Sequence, residues 1–217
     1  MSSNVVKIES IQQSASKVKI VLSNAQTYFL SLESAQKHQL VAQIVLTDSQ
    51  LELIEYESTL YEALYKAKQY IAMRDHASGE LKVKLKKKKF SKEIIDITIS
   101  KCQKLGLIDD ERYAYSIAEK FVEKKPCGKN FLLAYLQTKM IEREMASRIT
   151  NLIFASLDMS KQAQKSIEKK WQMYKQLTLE EARNKSYNYL ARRGFSFGDA
   201  KDAFEAMYNN EQEDENN

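Results

Sequence analysis

Displacing the 217-residue chain by 51 positions lays Ala67, Tyr70, Ile71 and Arg74 on Ala118, Phe121, Val122 and Lys125 without a gap. The same displacement carries Leu81, Leu85, Lys88, Phe90 and Ile94 onto Leu132, Leu136, Lys139, Ile141 and Met145. A displacement of 54 then places Leu136 and Ile141 on Leu190 and Phe195, with Lys139 on Arg193. Nine type-matched positions in one ungapped register restrict the chain to a repeat architecture before any motif is considered. Each unit reads as three short helices. The first carries an Ala-xx-aromatic-aliphatic stripe, the second ends in Leu-x-x-Lys/Arg-x-apolar, and the third follows Phe90, Ile141 or Phe195. One unit cannot bury its apolar face alone, so neighbours must stack. The expected fold is mainly α, with three tandem three-helix repeats in an elongated, curved array.

A different pattern precedes the repeats. Val18, Ile20 and Leu22 alternate with Lys17, Lys19 and Val21, Ser23-Asn24-Ala25-Gln26 supplies turn residues, and Tyr28, Leu30 and Leu32 alternate again. This predicts a β-hairpin, with Val5–Ile11 as a third strand and Ile44–Leu46 as a fourth. Thr47-Asp48-Ser49-Gln50, Thr59-Leu60-Tyr61-Glu62 and Thr178-Leu179-Glu180-Glu181 fit the capping box that opens a helix. The expected organisation is a small β-rich leader at 1–46, a connecting helix at 47–57, repeats at 58–105, 106–157 and 158–208, and a disordered acidic tail at 209–217.

Composition narrows the function classes. Two cysteines and two histidines supply neither a CxxC-type zinc site nor a disulfide framework, so a reducing cytoplasm is expected. Met1–Ser16 lacks a basic start followed by a long apolar run, and no stretch has the ~18 consecutive apolar residues of a membrane span. No signal peptide and no membrane contact are expected. Gly128-Lys129 lacks a glycine five residues earlier and is no phosphate loop, and neither GxGxxG nor GxSxG occurs. Asp109-Asp110-Glu111 reads as acids opposing a helix dipole rather than as metal ligands. His76 has no nucleophile beside it, and Cys102, at helical spacing from Ile95 and Ile99, reads as core. No catalytic, cofactor-binding or metal residue is expected.

Read in the repeat register, several stretches resemble the RecX family of bacterial regulators of the recombinase RecA. Gly106-Leu107-Ile108-Asp109-Asp110-Glu111-Arg112-Tyr113-Ala114 matches the family's GLIDDxRFA segment, with Tyr113 for the usual Phe. Arg74-Asp75-His76 followed by Glu80-Leu81 matches R-x-H-S-x-x-E-L, and Leu190-Ala191-Arg192-Arg193-Gly194-Phe195-Ser196 matches L-x-R-R-G-F-S. The resemblance covers roughly residues 58–208. Two departures stand out. The family's capping serine falls on Ala77, with Ser78 one residue later, and its turn glycine is replaced by Lys89 and Met140 and kept only as Gly194. The resemblance implies a non-catalytic regulator of recombination and DNA repair that binds the RecA–DNA filament and restrains its assembly, ATPase or strand exchange.

Charge is compatible with such a partner. Residues 1–57 carry four lysines against six acids, residues 58–208 carry 30 Lys+Arg against 19 acids, and the last nine carry four acids and no base. The densest run, Lys82 to Lys92, contains seven lysines and no acid. A basic surface attracts phosphate or an acidic protein face. The expected contact residues are Lys86, Lys87, Lys88, Lys89, Lys139, Arg143, Arg192 and Arg193. Cations at the ends of second helices also oppose the helix dipole, which is a structural alternative. Two other readings stay open: a DNA-binding helical repeat with no recombinase partner, and a basic scaffold for an acidic protein. A monomer is expected, with only weak affinity for DNA by itself.

Overall fold

The computed structural model describes residues 6–215, so position 5 of the first expected strand lies outside them. The chain divides into two compact units. One runs to His76 and includes Leu81–Ile108; the other takes Ala77–Glu80 and everything from Asp109 onward.

The first unit opens with an antiparallel sheet of β1 (Ile8–Gln13), β2 (Val18–Leu22) and β3 (Thr27–Leu30), in that order. Val18 pairs with Leu30 and Ile20 with Tyr28, so the expected hairpin forms in the alternating register. Strand period 2 puts Val18, Ile20 and Leu22 on one face. With Ile8 and Leu30 they pack on Ala35, Leu46 and Ile54. The leader is not wholly β, however. Leu32 belongs to α1 (Leu32–Lys37), capped by Ser31, and Ile44–Leu46 contributes only the isolated bridge of Val45 to Lys7.

The helix α2 (Asp48–Met73) runs unbroken for 26 residues from the Thr47–Gln50 capping box. The expected break between a connecting helix at 47–57 and the first repeat does not exist. Thr59 caps nothing, because its hydroxyl donates to the Glu55 carbonyl one turn back at 2.8 Å. Continuity lets one helix serve two cores. Ile54 faces the sheet, while Leu60 and Ala63 face Ile94. The free edge of β3 is also closed by α2, since Phe29 N–H donates to Ser58 Oγ at 3.1 Å. Tyr28 donates to Glu55 at 2.8 Å, and burial, then this carboxylate, push the phenol up to about 12. The first repeat is completed by α3 (Ser78–Lys87) and α4 (Lys92–Lys104), with Ala67, Leu81, Leu85, Ile95, Ile99 and Cys102 in one core.

The second unit holds two further three-helix sets. The first comprises α5 (Asp110–Lys124), α6 (Lys129–Thr138) and α7 (Arg143–Phe154); the second comprises α8 (Met159–Tyr174), α9 (Leu179–Arg192) and α10 (Phe197–Glu215). Leu81, Leu132, Leu85, Leu136 and Leu190 are all fully buried, as the repeat register requires. The acidic tail is not a disordered segment through residue 215: α10 continues to Glu215. Glu211 accepts from Lys175 Nζ at 2.6 Å and from Trp171 Nε1 at 3.4 Å. The Lys175 hydrogen bond above all, opposed by desolvation and aided to a lesser degree by Trp171, holds its carboxyl below the usual range.

Backbone dihedrals report the repeat independently of side chains. Lys89, Met140 and Gly194 follow α3, α6 and α9 with φ of 67°, 61° and 81°. The left-handed turn therefore persists where glycine does not, at a cost of roughly 1–2 kcal/mol for each non-glycine residue. Exposed Lys89→Gly should raise stability by about 0.5 kcal/mol after the entropy of the added glycine is subtracted. Gly194→Ala should do the reverse, because a Cβ there would meet Phe131 N at 2.5 Å. Thermal denaturation of both variants checks this; a destabilised Lys89→Gly would contradict it.

Candidate functional site: the ends of the second helices

Two of the three second helices begin against the end of another, while α9 starts from its own Thr178–Glu181 capping box. Gly128 opens α6 without any side-chain cap, and its own N–H donates to the carbonyl of Arg193, just past α9, at 2.9 Å. The backbones approach so closely that a Cβ on Gly128 would lie 1.9 Å from the Gly194 carbonyl oxygen. Gly79, in the first turn of α3, sits in the same way on the turn after α6, where a Cβ would lie 2.5 Å from the Met140 oxygen. A helix start carries partial positive charge and a helix end partial negative charge, so this head-to-tail contact is favourable at both junctions.

Side chains finish each junction. At α3, the Ser78 N–H donates to Asp110 Oδ1 at 2.7 Å and the Ser78 hydroxyl donates to Asp110 Oδ2. Ser78 is thus capped by a carboxylate from α5 and does not supply the cap. Within the acidic triplet, Asp109 caps α5 by accepting from Arg112 N–H at 2.9 Å, and Glu111 pairs with Arg148 at 3.3 Å. Among the described residues no group of three metal-ligating side chains forms. At α6, the Arg193 guanidinium donates to the Pro126 carbonyl at 2.7 Å and lies over the Phe131 ring at 4.7 Å. Cys127 beside it is fully buried, and burial pushes its thiol up to about 11 against the opposing pull of Arg193.

This arrangement separates the expected contact residues. Lys86 and Lys87 lie in the last turn of α3, with Lys88 and Lys89 just beyond, and all four are exposed. Lys139 ends α6 and Arg192 ends α9, both exposed. Arg143 does not end a second helix. It is the first residue of α7, where Glu142 caps the helix by accepting from the Glu144 and Met145 amides. Those amides, first of all, hold the Glu142 carboxyl below its usual range. Arg193 is half-buried and committed to Pro126 and Phe131, which makes it a clamp between neighbouring repeats rather than a free cation. Because α6 starts at α9's end, Lys139 and Arg193 are separated by one ten-residue helix, about 15 Å.

One feature on α5 and α6 was not legible as a site. Phe121 stacks on Tyr135 with ring centroids 3.9 Å apart and on Phe131 at 6.1 Å. Phe131 and Tyr135 lie one turn apart on the same side of α6. The partner ring from α5 shows that the three form a half-buried stack.

Two family models match the chain: "RecX, first three-helix domain" over residues 63–102 and "RecX, third three-helix domain" over residues 158–204. Regulatory protein RecX of Chlorobium phaeobacteroides is 30% identical over 135 residues, which span 62% of this chain and 86% of that protein. The chain belongs to the RecX family. Regulatory protein RecX of Finegoldia magna is 26% identical over 198 residues, 89% of this chain and 96% of that one. A crystal structure of regulatory protein RecX shares the fold with a TM-score of 0.76 at 18% identity, covering 92% of this chain and 98% of that one. RecX from Lactobacillus salivarius gives 0.62 over 69% of this chain and 96% of that one.

Two adjacent arginines should behave differently. Arg193→Ala loses a charged hydrogen bond and a cation–π contact, and should destabilise the protein by roughly 2 kcal/mol. Arg192→Ala, at an exposed position, should stay within about 0.5 kcal/mol of the parent. Urea unfolding curves of the two variants check the assignment, and equal midpoints would contradict it.

Proposed function

We propose that this RecX-family protein is a non-catalytic regulator of homologous recombination that binds the RecA–DNA filament and restrains its assembly, ATP turnover or strand exchange. Family membership carries this reading. RecA is the partner that the resemblance implies, and the relatives are named regulatory proteins. The exposed cations at the ends of second helices support it further. Lys86 to Lys89 form no ion pair among the described residues, so their charge is available to phosphate or acidic side chains.

Repetition gives the interaction a physical basis. A nucleoprotein filament presents the same surface once per subunit, and a chain of like modules offers like surfaces in return. A regulator that bridges filament subunits need contribute no chemistry, because holding neighbours in one geometry hinders the subunit changes that accompany ATP turnover. Lys86, Lys87, Lys88, Lys89, Lys139 and Arg192 are the proposed contacts. Arg193 acts through the clamp on α6.

Single-stranded-DNA-dependent ATP hydrolysis by RecA should fall as the protein is titrated in. Changing Lys86–Lys89 together to glutamine should raise the concentration needed by about tenfold or more, as expected when several charge contacts are lost. Unchanged hydrolysis at saturating protein would overturn the reading. Full potency of the lysine variant would remove only this site.

A further inference from the structure

The stack on α5 and α6 is bracketed by cations. Lys125 Nζ lies 6.0 Å from the Phe121 centroid, Lys139 Nζ lies over Tyr135 at 5.3 Å, and Arg193 lies over Phe131 at 4.7 Å. Tyr135 and Lys139 continue the i, i+4 row begun by Phe131 on α6, while Phe121 and Lys125 form the matching row on α5. The rings are half-buried and both lysines are exposed. Lys124, about 60° around α5 from Phe121, and Lys120, about 100° away at its flank, add two more exposed cations. None of these four lysines forms an ion pair among the described residues.

The acids of α5 are kept away from this surface. Glu119 and Glu123 are roughly 160–200° around the helix from Phe121 at 100° per residue. They line a separate groove with Tyr115, Val122 and Leu152. One helix therefore has an aromatic, basic side and an acidic side. An ordinary solvated helix face mixes its charges. Stacked rings flanked by unpaired lysines match the requirements of an unpaired nucleotide strand, whose bases have π faces and whose phosphates need cations. An acidic peptide would use the lysines but has no need of three aligned rings. A duplex hides its base faces.

We infer that the Phe121–Phe131–Tyr135 stack, with Lys125 and Lys139, is a binding surface for single-stranded nucleic acid, in which a base stacks at Tyr135 and the lysines take the flanking phosphates. Lys139, now over the Tyr135 ring, moves to a phosphate as the base arrives. This gives the protein a strand-binding site independent of RecA, and the inference does not rest on the filament reading.

The test is fluorescence anisotropy with labelled oligothymidylate of about 20 nucleotides, longer than one stacking site needs, beside a hairpin duplex and without RecA. Tyr135→Leu keeps the apolar bulk and removes the π face. It should weaken single-strand binding by about 5- to 100-fold, the usual worth of one base–aromatic stack, and leave duplex binding unchanged. Lys125→Gln with Lys139→Gln changes only exposed positions and should reduce the salt slope on single strands by about 1.4. The inference is overturned by a wild-type protein that binds no single strand. It is equally overturned by a lysine variant with an unchanged slope, or by a folded Tyr135→Leu variant that loses duplex and single strand alike. Each of these results leaves the RecA ATPase assay to decide the filament reading separately.

Discussion

The close approach of one helix start to another helix end is the constraint on which the repeat part of this protein depends. At Gly128 the Arg193 carbonyl accepts the amide of the N-cap residue itself, and the distance tolerates no Cβ on Gly128. At Gly79 the same geometry meets the Met140 carbonyl, with Asp110 satisfying the adjoining Ser78. Helix ends leave unsatisfied backbone groups, and a short helix has few interior hydrogen bonds to offset them. Ten-residue helices such as α3 and α6 gain by opposing a start to an end.

The junction also explains which positions tolerate departure from glycine. Lys89 and Met140 keep the left-handed turn at an energetic cost, because the turn delivers the chain to the third helix of the repeat. Gly194 has a second obligation, since Phe131 N would lie 2.5 Å from any Cβ it carried. The same crowding draws Arg193 inward to Pro126, leaving Arg192 at the surface. One of two neighbouring arginines thus belongs to the scaffold and the other to the surface, a division that charge alone does not reveal.

Much of this was legible in the sequence because it is local or periodic. Leu81, Leu85, Leu132, Leu136 and Leu190 announced their burial through helical spacing and through the displacement that superposes them. Val18, Ile20 and Leu22 did so through alternation. Errors arose where a local pattern had a distant partner. Thr59 resembled a cap, but the apolar demands on both halves of α2 keep that helix whole and turn its hydroxyl inward. The acidic tail had the composition of a disordered segment, yet Lys175 and Trp171, distant in sequence, receive Glu211. Ser78, Arg193 and the Phe121–Tyr135 stack were likewise invisible, since Asp110, Pro126 and the opposing ring reach them only through the fold.

The Gly128 amide offers the most direct measurement of the junction. An amide at a helix start has no partner inside its own helix and ordinarily exchanges quickly with solvent. Native-state hydrogen exchange should find Gly128 protected to the same degree as the interior of α6, because its hydrogen bond to Arg193 breaks only when α6 and α9 part. Exchange at Gly128 as fast as at an unstructured amide, with the α6 interior still protected, would show that the two helix ends are not joined.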